Sequence, residues 1–94
     1  MTINLNDLTI QNLPLMTHDN GKKQFRVDFK NKSFFSIVGG MKGIYGNGID
    51  TFELFTSEHD DVETFVDINR IKEVLQEMIV KNGQIDKVNF KEVD

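Results

Sequence analysis

The sequence predicts an α+β fold: a small antiparallel sheet of about four to five strands packed against one C-terminal amphipathic helix, residues 67–82. Three observations carry this reading. Ile68, Ile71, Val74, Leu75, Met78 and Ile79 recur at three- and four-residue spacing, while Arg70, Lys72, Glu73, Gln76 and Glu77 fall on the opposite side. Residues 24–30 alternate strictly, with Phe25, Val27 and Phe29 on one face and Gln24, Arg26, Asp28 and Lys30 on the other. The chain of 94 residues contains no cysteine, so one core held by packing alone must account for its stability.

In chain order, Ile3, Leu5, Leu8, Ile10, Leu13 and Leu15 keep a mostly two-residue period, broken at Asn6-Asp7, and predict an edge strand with a turn or bulge. Pro14 cannot donate to a ladder and fits an edge or a strand end. His18-Asp19-Asn20-Gly21 is a turn that leads into the alternating strand 24–30. Asn31-Lys32 closes a hairpin into 33–38, where Phe34-Phe35 and Ile37-Val38 predict a central strand covered on both faces. Residues 39–48, with five glycines, form a loop, expected as a flexible strand connection. Strands are expected again at 49–56 and, shorter, at 62–66. Asp67 or Asn69 caps the helix that follows, and Asn82-Gly83 ends it. Ile85, Val88 and Phe90 then add a last short strand or pack as a tail.

Composition narrows the function classes. The net charge is −4, but it is polarised along the chain. Lys22, Lys23, Arg26, Lys30 and Lys32 cluster early against Asp28 alone, whereas Asp50, Glu53, Glu58, Asp60, Asp61, Glu63 and Asp67 follow with no lysine or arginine between Lys42 and Arg70. Neither a signal peptide nor a membrane span is expected, and the absence of cysteine fits a cytoplasmic home.

Chemistry finds little support. Around Gly39-Gly40 and Gly46-Asn47-Gly48, Lys42 precedes Gly43 and a strand follows, so neither the phosphate-loop nor the dinucleotide spacing is present. Glu58-His59-Asp60-Asp61-x-Glu63 offers oxygen donors, but it matches no zinc or calcium pattern and reads as a solvated acidic turn with no metal. The serines lack a nucleophile-elbow context, and exposed acids do not supply the unequal pair that acid-base catalysis needs. The expectation is a protein without catalytic residues or cofactor.

Binding is the remaining class. Gly43-Ile44-Tyr45-Gly46, the aromatic strand Thr51-Phe52-Glu53-Leu54-Phe55, the acidic turn and the closing helix together resemble small acidic accessory proteins of phages and mobile elements of low-GC bacteria, anti-CRISPR inhibitors among them. The resemblance spans roughly residues 34–79. It implies an acidic α+β inhibitor or adaptor that engages a basic surface of a nucleic-acid-handling host protein. The candidate partner-binding residues are Asp50, Glu53, Glu58, Asp60, Asp61 and Glu63, which could steer a basic partner, and Met41, Ile44 and Tyr45, which could anchor one. The alternatives are a structural or assembly part acting through self-association, and a weak nucleic-acid binder using the basic hairpin 22–32.

Overall fold

The computed structural model describes residues 4–92. The chain begins with a short 3-10 turn, Leu5–Asp7, and continues through β1 (Met16–Thr17), β2 (Lys23–Phe29), β3 (Phe34–Gly39), β4 (Phe52–Thr56) and β5 (Glu63–Val66). Helix α1 (Ile68–Asn82), β6 (Ile85–Val88) and β7 (Lys91–Glu92) follow. All pairings are antiparallel, and the sheet order is β5-β4-β3-β2-β6-β7, with β1 also on β2.

The α+β class and the C-terminal helix are as the periodicities predict, but the described residues form seven strands rather than four or five. β1 and β7 are two-residue bridges, too short to show alternation. The helix keeps its expected ends. Asp67 accepts the Arg70 amide at 3.0 Å, and Gly83 takes a positive φ of 77° just past the last turn.

One face of the sheet carries the core. Phe25, Val27 and Phe29 on β2, Phe35 and Ile37 on β3, and Phe52 and Leu54 on β4 meet Ile71, Val74, Leu75 and Met78 of α1. All eleven are buried, seven of them from the sheet and four from the helix.

The segment before β1 is a correction. Leu5, Leu8, Ile10, Leu13 and Leu15 do pack on the core, but from a 3-10 turn and irregular chain and not as an edge strand; Ile3 lies outside the described residues. The polar residues between them bond to their own backbone instead of facing solvent from a pleat. Asn4 caps the Asn6 amide at 3.1 Å, Asn12 accepts the Thr9 amide at 2.7 Å, and the Asn12 side-chain amide donates to the Asp7 carbonyl at 2.6 Å. Asparagine and threonine compete with ladder bonds in this way, and the alternating pattern does not reveal it.

The glycine-rich connection is a second correction, because it is a packed structure. A Cβ at Gly39 would lie 2.8 Å from the Gly48 nitrogen, and one at Gly46 would lie 2.5 Å from the Phe52 Cα. Asn47 holds the return: its side-chain oxygen accepts the amides of Ile49, Asp50 and Thr51 at 2.8 to 3.1 Å. Those bonds keep 49–51 out of the strand, which begins at Phe52 and not at Ile49. Among the described residues no helix is long and apolar enough to cross a membrane.

Candidate functional site on the open face of the sheet

The face of the sheet turned away from α1 has no second layer among the described residues. β3 is central, as expected, and of its outward residues Ser36 is buried while Phe34 and Val38 are half-buried. Register places Arg26 of β2 opposite Ser36 of β3, and Ser36 opposite Phe55 of β4. Gln24 donates to the Ser36 hydroxyl at 3.0 Å and accepts from His18 Nε2 at 2.8 Å, so the polar middle of this face is satisfied.

Two aromatic groups flank that middle. In the first, the Arg26 guanidinium sits 4.4 Å from the Phe34 ring centroid and 5.5 Å from that of Phe90, while Phe34 lies 5.3 Å from Phe55. Asp28 holds the same guanidinium, with contacts at 3.0 and 3.2 Å. An arginine is thus enclosed by aromatic faces and a carboxylate. Phe90 follows Asn89 in the two-residue turn joining β6 and β7, and both have positive φ, 51° and 67°. Glycine usually fills the second of these positions.

The second group lies on the β4–β5 hairpin. Leu54 pairs with Glu63 and Phe52 with Val66, so Thr64 and Phe65 together face Glu53 across a bulge. Phe65 takes a left-handed φ of 55°, unusual for a bulky side chain. Its amide donates to the Tyr45 carbonyl at 3.1 Å, and the Tyr45 amide donates to Glu53 Oε1 at 2.7 Å. The two rings stack at 5.8 Å with a 58° tilt, yet Tyr45 is 61% and Phe65 62% exposed.

The expected site residues divide. Tyr45 projects, whereas Met41 and Ile44 are half-buried in the folded loop. Four of the six acids are engaged within the chain. Glu63 accepts two bonds of 2.8 Å from Arg70, which hold its carboxyl below the ordinary range; Arg70, raised above its own ordinary value by that carboxylate, also pairs with Glu73. Lys81 binds Glu58, the Asn47 side-chain amide binds Asp50, and Glu53 carries Tyr45. Asp60 and Asp61 are exposed, with no ion pair among the described residues. Because β2 to β5 run as a meander, the charge polarity of the sequence becomes a polarity across the sheet. The acids gather on the β4–β5 side and the early lysines on the β2 side.

Phe55, Phe65 and Phe90 are the site residues that sequence reasoning missed. Phe55 was legible as the outward member of an alternating strand, but Phe65 and Phe90 depend on a bulge and a turn that no hydrophobic pattern encodes. Among the described residues, no group of three or more His, Cys, Asp or Glu is placed to hold a metal ion. A groove of about 350 Å³ between Pro14-Leu15-Met16 and Val88-Asn89 is bordered by Lys91 and Glu92. Compared with protein-family models, curated proteins and solved structures, the chain matches none.

Proposed function

We propose that this protein is a non-enzymatic inhibitor or adaptor that holds a protein partner with a basic surface against the β4–β5 side of its open sheet face. The observation that carries the reading is the stacked Tyr45–Phe65 pair, more than half exposed, with Phe65 in a backbone conformation that disfavours its own side chain. A left-handed backbone costs a non-glycine residue roughly 1 to 2 kcal/mol. Glycine would remove that cost at a position where the ring buries little surface. Strain that keeps an aromatic in solvent is the pattern of a binding anchor, which contributes large area with few torsions to order.

Asp50, Asp60 and Asp61 lie at the two ends of the same hairpin and set a negative rim that would speed encounter with a basic partner. The setting implied by the resemblance, inhibition of a nucleic-acid-handling host protein in a phage or mobile element, suits such a partner, since surfaces that hold phosphates are basic. Direct nucleic-acid binding through the basic hairpin is the less favoured reading, because Phe35 is buried and Phe34 already carries the Arg26 guanidinium, so neither ring is free to stack on a base. Self-association through β5 is disfavoured because that strand has four residues and a bulge.

The test is capture from a lysate of the source cell by immobilised wild type, Tyr45→Ala and Phe65→Gly, with mass spectrometry. Loss of one specific protein in both folded variants supports the proposal. Equal capture by all three overturns it.

A further inference from the structure

The open face contains a cation site that the chain fills itself. Arg26 is held between Phe34 and Phe90 with Asp28 on its guanidinium, and Phe90 reaches it from a left-handed turn position. The β4–β5 hairpin repeats those ingredients. Tyr45 and Phe65 are an exposed aromatic pair, Phe65 is again left-handed, and Glu53 stands opposite Phe65 across the bulge. Glu53 accepts the Tyr45 amide on Oε1, and among the described residues its Oε2 has no hydrogen-bond partner. Among the same residues the cation–π contacts are those of Arg26 alone. The second group therefore has two ring faces and a carboxylate oxygen but no cation.

We infer that the Tyr45–Phe65–Glu53 group is a recognition site for an arginine side chain of the partner protein. This deepens the proposed function and rests on it. Arginine fits better than lysine because a planar guanidinium can lie on one ring while donating edgewise to a carboxylate, as Arg26 does with Phe34 and Asp28. The pair is tilted by 58° and only 5.8 Å apart, so the guanidinium packs on an outer ring face rather than between the rings. The bulge is what makes this possible, since it turns Thr64 and Phe65 toward the same residue.

The chain has one tyrosine and no tryptophan, so tyrosine emission reports this site alone. The probe is acetyl-Gly-Arg-Gly-amide, with its lysine and citrulline counterparts, titrated by fluorescence and by NMR shifts of the Tyr45 and Phe65 rings. The arginine peptide is expected to bind weakly but saturably, on the order of 10 mM. Citrulline, which keeps the shape without the charge, and Glu53→Gln, which keeps an acceptor for the Tyr45 amide without the charge, should each weaken binding about fivefold. Equal response to arginine and citrulline peptides, or no shift of either ring, overturns the inference. Partner capture separates the two levels. Capture lost in Phe65→Gly but unchanged in Glu53→Gln leaves the binding function standing and removes the arginine site; capture kept in both removes both.

Discussion

Asn89 meets Arg26 twice: its backbone amide donates to the Arg26 carbonyl at 2.8 Å, and its side-chain oxygen accepts the Arg26 amide at 2.9 Å. The same side chain donates to the Pro14 carbonyl at 2.6 Å. β1 pairs with β2 at Lys23 and Gln24, and β6 pairs with it from Val27 onward, so Asn89 fills the gap between two strands that share one edge. Asn89→Gly keeps the positive φ and removes only the side chain. It is expected to cost about 1 to 3 kcal/mol, because the Arg26 amide and the Pro14 carbonyl lose their partner. Chemical denaturation measures the loss, and faster hydrogen exchange at the Arg26 amide locates it.

Gly46→Ala tests whether the glycine-rich loop is a packed element. The new Cβ would lie 2.5 Å from the Phe52 Cα, a backbone atom that cannot swing away. A destabilisation of about 1 to 3 kcal/mol is expected, as for overpacked cores. An unchanged melting temperature would show that the loop moves freely off β4.

Leu75→Ala addresses the helix. Leu75 is fully buried against the sheet, so truncation is expected to cost about 2 to 5 kcal/mol in denaturant. A loss under roughly 0.5 kcal/mol would mean that the helix stripe does not face the core.

The Glu63–Arg70 pair sets a pH dependence. The arginine hydrogen bonds depress the Glu63 carboxyl, so the unfolded chain binds more protons as the pH drops. The stabilisation is present above the ordinary carboxylate range and is lost as pH falls through the lowered value. The side chains are 36% and 37% exposed, which keeps the contribution to no more than about 1 kcal/mol. Glu63→Gln is expected to be less stable than wild type at neutral pH, and the difference should shrink on acidification and vanish once the pH lies below the lowered value of Glu63. A difference that grows on acidification would assign the effect to other groups.

What the sequence disclosed follows from which physics is periodic. The helix, its caps, and the strands around Phe25 and Ile37 were legible because burial repeats every two or 3.6 residues. The segment from Leu5 to Leu15 misled because its apolar spacing suits a strand, while Asn4 and Asn12 satisfy the backbone by local bonds. Tyr45 stands out in the sequence as a large residue set among glycines. Its ring partner Phe65 does not, since a strand read by alternation gives no sign that a bulge turns Thr64 and Phe65 together toward Glu53. The acids were legible as a run, but their engagement by Arg70, Lys81 and Asn47 is a three-dimensional fact.

The edge shared by β1 and β6 has a kinetic consequence. The β2–β3–β4–β5 meander needs only hairpin closures, whereas Asn89 reaches Arg26 across 63 residues and Pro14 across 75. Loop closure over such spans is slow, so the meander is expected to form in the folding transition state and the β6 edge to dock afterwards. Substitutions at the β3–β4 interface, such as Ile37→Val, should then slow refolding, while Val88→Ala should mainly accelerate unfolding. Until β6 docks, the unpaired edge of β2 is open to other chains; Lys23 and Lys30 at its two ends supply the like charge that holds those chains apart.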